Sequence, residues 1–214
     1  MATPILKSLW GRVFGLGHNS ELVLNGQVVA FDPTTGAGTK AASSTVEVEE
    51  QSNGIFRQTK ITLTNAPLSV VSVTTGNGVG GLKLYTFPEG YIHVLGSYGS
   101  VSLSIASAKQ GDFTDATPEG DLGIGSLLPA NADSLGTDAT DDDICTARPF
   151  TMSSYAASVN FRADAATLVL NGSSTAEDVN LTVLVDAADI DNDVTTEILA
   201  TGTIYIRWIF AGDI

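Results

Sequence analysis

Apolar and polar residues alternate one by one along most of the chain after residue 20. The alternation is strongest in Ile198–Phe210 and recurs in Val101–Ile105, Lys60–Thr64 and Ser44–Glu50. Because successive side chains of a β-strand point to opposite faces of a sheet, each of these segments predicts a half-buried strand. Apolar residues at helical spacing are confined to residues 1–20, so we expect an all-β fold.

The segment Ile198–Phe210 gives the strongest strand prediction. At about 3.3 Å per residue it would span roughly 40 Å, which suits an element near the centre of a fold. Its second face carries Tyr205, Arg207 and Ile209 and is expected to be covered in part. Its apolar face consists of Ile198, Ala200, Ile204, Ile206, Trp208 and Phe210.

Turn residues separate the predicted strands. Asn25-Gly26 lies between two short apolar runs, and both residues tolerate the positive φ angles that a type I′ hairpin requires. Pro88-Glu89-Gly90 predicts a second turn, and Gly76–Gly81, with four glycines, predicts a loop. Strands at such short intervals indicate a single β-sandwich domain, jelly-roll-like in topology, over residues 21–214.

Residues 1–20 differ from the rest of the chain in composition. They contain Lys7 and Arg12 but no acidic residue, and three glycines work against a stable helix. We expect an extended or partly helical N-terminal arm whose apolar side chains bind a partner surface or pack on their own domain. The predicted partner-binding residues are Ile5, Leu6, Leu9, Trp10, Arg12, Val13 and Phe14.

Residues 110–147 are a second anomaly, with nine acidic residues and no Lys or Arg. A structureless segment of this length is uncommon inside a compact domain. We interpret it as a long acidic excursion of the domain, either flexible or ordered by a neighbour.

The charge balance limits the classes of partner. Ten basic and 24 acidic residues give a formal net charge of −14. Nucleic-acid binding requires clustered Lys and Arg, and anionic membranes attract basic segments, so neither partner is expected. No run of about 18 apolar residues predicts a membrane span. Glycines and Arg12 interrupt any secretory signal near the start of the chain.

One cysteine and two histidines leave few ligands for a zinc centre. The cation candidates are Asp189, Asp191 and Asp193, which have the acidic spacing with which a calcium loop begins. Val194 and Ala200 occupy the positions where an EF-hand has Gly and Glu, so a solvated acidic turn is the favoured interpretation. We expect no metal and no cofactor.

Residues for catalysis are equally scarce. A Ser-His-Asp triad would have to use His18, beside the glycine-rich arm, or His93, between Ile92 and Val94 in a predicted strand. At position 93 a paired or exposed strand histidine is the favoured interpretation. Cys145 follows acidic residues, which raise the pKa of a thiol and disfavour a reactive thiolate. The sequence therefore predicts that the protein is not an enzyme.

Three segments resemble small virion proteins of tailed bacteriophages. They are Pro4–Gly15 (PILKSLWGRVFG), Phe87–Gly96 (FPEGYIHVLG), and Gly202–Trp208 (GTIYIRW) followed by Gly212-Asp213. They lie at the start, the middle and the end of the chain, whereas residues 110–147 depart from the family pattern.

The resemblance implies a structural protein of the capsid cement or decoration type. Such proteins often form trimeric β-sandwich or jelly-roll knobs on the shell, with arms that reach over neighbouring subunits. The implied partners are the major capsid protein and further copies of this chain in a homotrimer. The implied location is the virion, assembled in the host cytoplasm, and the family brings no catalytic residues.

Other classes remain open at this point. A low-copy head-fibre, tail or host-recognition β-sandwich module would share the fold and use the loops at 110–147 or 189–193. A β-sandwich hydrolase and a cellular β protein of unrelated role are further alternatives.

We predict that deletion of residues 1–16 leaves a folded, soluble body that no longer binds its shell. The apolar arm is the hypothesised anchor, whereas the alternating segments that predict the body all lie after residue 20. Co-sedimentation of the full-length and truncated chains with shells that lack the protein measures the effect, and circular dichroism checks folding. Undiminished shell binding by the truncated chain would contradict the anchor hypothesis.

Overall fold

The computed structural model describes residues 21–24, 27–30, 38–53, 56–72, 76–129, 142–172 and 174–212. Within these ranges the chain is mostly β-strand, and the one regular helix is a 3-10 helix at Ser107–Asp112. The predicted all-β class is therefore confirmed. The predicted N-terminal arm lies outside the described residues.

Twelve strands are assigned in the described part of the chain. They are β1 (Glu21–Leu24), β2 (Gln27–Ala30), β3 (Thr39–Lys40), β4 (Val46–Asn53), β5 (Phe56–Val71), β6 (Gly78–Thr86), β7 (Gly90–Ser104), β8 (Glu119–Gly125), β9 (Cys145–Thr151), β10 (Ala156–Gly172), β11 (Asp178–Val185) and β12 (Thr195–Gly212).

Ten of these strands form one antiparallel sheet. Eight follow the order β10-β7-β12-β5-β6-β11-β8-β9, while β3 pairs with β6 and β4 pairs with β5. The two ends of this order, β9 and β10, are consecutive in the chain and are joined by a short turn that the Ser153–Ala156 bridge closes. The sheet consequently curls until it almost closes into a barrel, which is consistent with the predicted sandwich.

The predicted hairpin near the start of the chain is present as a separate two-stranded sheet. β1 and β2 pair antiparallel, with Leu24 opposite Gln27. The turn residues Asn25 and Gly26 themselves lie outside the described residues.

β12 lies between β5 and β7, the central position that its alternation predicts. Its inward-facing residues include Ile204, Ile206 and Trp208, which are fully buried. Tyr205 and Ile209 on the opposite face are half-buried, so the partial cover expected there is confirmed.

The prediction of a loop at Gly76–Gly81 is wrong from Gly78 onwards. Strand β6 begins at Gly78 and pairs with β5 on one side and with β11 on the other. A Cβ atom at Gly80 would collide with the carbonyl oxygen of Ser69 in β5. Because Gly80 has no side chain, the backbones of β5 and β6 can approach closely. In a sequence, a glycine-rich strand of this kind looks the same as a glycine-rich loop.

The acidic segment at residues 110–147 enters the sheet over part of its length. β8 pairs with β11 and β9, and β9 begins at Cys145. A Cβ atom at Gly120 would collide with the carbonyl oxygen of Leu184 in β11, so glycine allows this stretch to join the sheet. Residues 130–141 lie outside the described residues.

The buried apolar residues form one connected core inside the curled sheet. At its centre the Trp208 and Phe87 rings pack edge to face, with their centroids 5.2 Å apart. Phe87 packs in the same way on Tyr85, at 5.4 Å. The indole Nε1 of Trp208 donates a 2.8 Å hydrogen bond to Thr59 Oγ1 on β5. The largest buried side chain thus has both packing partners and a partner for its one polar atom.

We predict that Trp208→Ala lowers the free energy of unfolding by about 3–5 kcal/mol, because it removes a buried ring and leaves a cavity. Urea denaturation of the full chain measures this change. Phe56→Ala is the matched control, since Phe56 is an aromatic strand residue that is 53% exposed, and its loss should be much smaller. Equal losses for the two variants would contradict a core centred on Trp208.

Candidate functional site

One solvent-facing side of the sheet carries aromatic, apolar and basic side chains in two rows across the strands, with Arg207 between the rows. In the first row, Ile209 of β12 lies between Phe56 of β5 and His93 of β7, and His93 lies opposite Val169 of β10. Phe56 is 53% exposed and Val169 is 47% exposed. We define the outer face as Phe56, Tyr98, Val169, Tyr205 and Arg207.

The second row is built on two stacked tyrosines. Tyr205 of β12 lies between Lys60 of β5 and Tyr98 of β7. The two tyrosine rings lie 4.8 Å apart with 10° between their planes. The Arg207 guanidinium lies 5.7 Å from the centroid of the Tyr98 ring, which is a cation–π distance. The Tyr98 hydroxyl donates a 3.4 Å hydrogen bond to Gln58. These contacts hold large side chains in fixed positions at the protein surface.

A cleft of about 360 Å³ adjoins the outer face and shares Phe56 and Arg207 with it. We call it the Arg57 cleft, and its lining is contributed by β4, β5, β7 and β12. The lining combines the apolar side chains of Phe56 and Leu95 with the exposed Arg207. The full lining is Gln51, Ser52, Phe56, Arg57, Gln58, Leu95 and Arg207.

Buried contacts hold Arg57 in place at this cleft. The residue is only 6% exposed, and its guanidinium carbon lies 5.4 Å from the centroid of the Trp208 ring. One guanidinium nitrogen lies 3.8 Å from a carboxylate oxygen of Glu50. The other Glu50 oxygen accepts hydrogen bonds from the Tyr85 hydroxyl and from the Gly38 N–H. Arg57 and Glu50 therefore belong to one network that crosses β4, β5, β6 and β12.

Tyr85 acts as a hydrogen-bond donor in this network. Burial raises the pKa of Tyr85 far above its ordinary value, and the hydrogen bond to Glu50 raises it further. The hydroxyl is consequently protonated at neutral pH and donates to Glu50 beside Arg57.

Of the three cation candidates in the predicted acidic turn, Asp189 has a hydrogen-bonding role within the fold. Asp189 Oδ2 accepts a 2.9 Å hydrogen bond from the N–H of Glu119, whereas Asp191 and Asp193 are exposed. In the described part of the chain, no three His, Cys, Asp or Glu side chains are grouped as metal ligands.

His93 and Cys145, the two side chains considered and disfavoured as catalytic groups, have different environments. His93 is half-buried on the solvent-facing side of β7, next to Ile209 and Val169. Cys145 is buried, and burial is the main cause that raises the pKa of its thiol; Asp142 adds only a smaller effect in the same direction. The arm residues and His18 lie outside the described residues.

No protein-family model matches this chain. No curated protein matches it either. Across the described ranges, no helix is long and apolar enough to span a membrane.

Neither the outer face nor the Arg57 cleft is evident as a site from the sequence pattern. One signal was available, since the alternation of Ile61 and Leu63 extends backwards through Thr59 to Arg57. A period of two places all four side chains on the inner face, where an arginine needs partners. The remaining lining residues come from distant strands, and only the sheet order brings them together.

Asp143 has the best-defined environment among the acidic residues of the predicted excursion. Its carboxylate accepts two 2.8 Å hydrogen bonds from Ser126, one from the N–H and one from the hydroxyl. Burial nevertheless raises the pKa of Asp143 above its ordinary value of 3.8. The folded state therefore binds this proton more tightly than the unfolded chain does. Its contribution to stability falls as the pH rises from 3.8 through the raised pKa.

We predict that Asp143→Asn abolishes this pH-dependent contribution, because the amide does not ionise and its oxygen still accepts from the Ser126 N–H. The free energy of unfolding of the variant relative to wild type should increase as the pH rises through the same interval. Urea denaturation of both proteins at a series of pH values measures the difference. A difference that stays constant over that interval would contradict the raised pKa.

Proposed function

We propose that this chain is a structural protein of a tailed-bacteriophage virion, which docks on the capsid and reinforces or decorates the shell. The observation that carries the proposal is the outer face, where ordered aromatic and arginine side chains meet solvent. Tyr98, for example, is 38% exposed although it stacks on Tyr205. Contiguous exposed apolar surface on a soluble protein marks an interaction site.

The composition of the outer face supports binding to a protein. Tyrosine, phenylalanine and arginine are enriched in protein–protein interfaces, and tyrosine and arginine often dominate their binding energy. Cation–π contact and ring stacking already order Tyr98, Tyr205 and Arg207 in the free protein. Little side-chain entropy is then lost on association, which favours affinity.

The sheet that carries the outer face suits a structural role. Four strands of 15 to 18 residues, β10, β7, β12 and β5, are consecutive neighbours in the sheet and carry the outer face. A support of this kind keeps the exposed side chains in a fixed arrangement from one copy to the next. Repeated identical contacts are what a shell protein requires, since avidity multiplies weak individual contacts.

The identity of the partners follows from the resemblance of the three sequence segments. In this proposal the major capsid protein and further copies of this chain, as a homotrimer, are the partners, and the location is the virion after assembly in the host cytoplasm. The arm residues around Trp10 add a second contact to that of the outer face. No catalytic step is part of the proposal.

We predict that purified particles contain this chain in a copy number comparable with that of the major capsid protein. Quantitative mass spectrometry of particles from the source of this sequence measures the ratio, with portal and tail proteins as low-copy references. A high ratio supports a cement or decoration role. A ratio like that of the tail proteins would instead support the alternative head-fibre, tail or host-recognition module. Absence of the chain from the particles would contradict both.

A further inference from the structure

The row of side chains that contains Tyr98 and Tyr205 extends across five neighbouring strands. Glu49 of β4 lies opposite Lys60 of β5, and Lys60 lies opposite Tyr205 of β12. Tyr205 lies opposite Tyr98 of β7, which in turn lies opposite Arg162 of β10. The row therefore has an acidic residue at one end, a basic residue at the other and two stacked tyrosines between them.

A second acidic residue strengthens the negative end of the row. Glu47 precedes Glu49 by two positions on β4, so the alternation of a strand places both on the same face, and both are exposed. The Lys60 ammonium lies 3.0 Å from a carboxylate oxygen of Glu49. Glu49, and to a smaller extent Glu47, raise the pKa of Lys60. Two carboxylates thus share one ammonium, which leaves an excess of negative charge at the β4 end.

Exposed arginines lie at the positive end. Arg162 is exposed on β10, and the exposed Arg148 of β9 donates a 2.8 Å hydrogen bond from its guanidinium to the carbonyl oxygen of Arg162. Arg207 of β12 is exposed as well and lies over the Tyr98 ring, which places its guanidinium towards the β10 end. The charge of the row therefore changes sign between β4 and β10.

A row of this kind is complementary to itself. When a second copy lies face to face with the first, related by a two-fold axis along β12, its β10 meets β4 and its β7 meets β5. Glu49 then faces Arg162 of the second copy, Lys60 faces the Tyr98 ring of the second copy, and Tyr205 meets its own counterpart. Opposite charges and a cation–π contact face each other at both ends of the row, because a two-fold contact uses the same patch on both copies. A two-fold axis across the strands would instead set Glu49 against Glu49.

We propose that the outer face binds the outer face of a second copy of this chain, through a two-fold contact whose axis runs along β12. This inference rests on the protein-binding role that the proposed function gives to the outer face, and it names the partner. The contact covers the exposed side chains of Phe56, Tyr98 and Val169 between two sheets, which pack face to face at about 10 Å in proteins. In the proposed homotrimer it joins copies of neighbouring trimers and leaves the arm to bind the major capsid protein.

Charge complementarity favours a second copy as the occupant. The net charge of −14 makes two copies repel each other, so any contact between them requires local pairs of opposite charge. A purely acidic or purely basic surface would match only one end of the row. A surface with both signs in the reversed order matches both ends, and the chain itself carries that surface.

The test uses the full chain and charge-reversed variants at the two ends of the row. Sedimentation equilibrium at low salt, which limits screening of exposed charges, measures the mass as a function of concentration. The wild-type mass should double with increasing concentration, whether the smaller species is a single chain or the proposed homotrimer. Glu49→Arg and Arg162→Glu should each weaken this association about tenfold, because each sets like charges together at two symmetry-related places.

A mixture of the two variants tests the symmetry of the contact. Equimolar Glu49→Arg and Arg162→Glu chains should associate as tightly as wild type, because both ends of one variant are then opposite in charge to the ends that they meet on the other. Glu49→Arg makes the net charge less negative and Arg162→Glu makes it more negative, so an effect of net charge alone would move the two variants in opposite directions.

Lys40→Glu is the matched control for charge reversal, since Lys40 is exposed on β3, outside the row. This variant should associate like wild type. Circular dichroism of every variant reports whether the fold is intact.

Three results would overturn the inference. A wild-type mass that never exceeds that of a single chain or a single homotrimer would show that the outer faces do not pair. Association that neither Glu49→Arg nor Arg162→Glu weakens would place the contact elsewhere. Association that each variant weakens and their mixture does not restore would exclude a two-fold contact and indicate a head-to-tail arrangement.

The particle measurement separates this inference from the proposed function. A virion that contains the chain, together with outer faces that do not pair, overturns the inference and leaves the virion role standing. A particle without the chain overturns the virion role, whichever result sedimentation gives.

Discussion

The pairing of Trp208 with Arg57 across β12 and β5 is the contact on which the rest of the structure depends. The indole packs on Phe87, donates to Thr59 and carries the Arg57 guanidinium on its face. A shift of one residue between these strands would turn every side chain of β12 to the opposite face. It would also move the Trp208 ring away from the buried Arg57 guanidinium and remove their cation–π contact. Register, core and buried charge are therefore fixed by the same contact.

The outer face is a direct consequence of that register. With Trp208 and Ile206 directed inwards, alternation turns Arg207 and Tyr205 outwards, towards their neighbours on β7. Tyr98 then stacks on Tyr205 because the two residues are cross-strand partners. The recognition surface and the core are thus the two sides of the same strands, and the core determines where the surface residues stand.

Sequence patterning predicted the parts of the fold that alternation controls and missed those that close backbone packing controls. β12 and its central place follow from thirteen alternating residues at Ile198–Phe210. Strands β6 and β8 contain several glycines, which in a sequence predict loops. In the structure, Gly80 and Gly120 lie so close to carbonyl oxygens of neighbouring strands that a side chain would not fit. The Arg57 cleft was not predicted, since its lining unites residues from four strands. Sheet order, which joins positions 57, 95 and 207, is not encoded in any local pattern.

The net charge of the chain and the local charge of the outer face act over different distances. At physiological ionic strength the Debye length is about 8 Å, so the net charge of −14 repels another acidic protein only weakly until the surfaces nearly touch. At contact, local complementarity decides, and there the outer face presents the exposed Arg207 beside two stacked tyrosine rings. The acidic net charge therefore does not prevent this face from binding an acidic partner. The position of Arg207 in turn follows from the register of β12, which the core packing fixes.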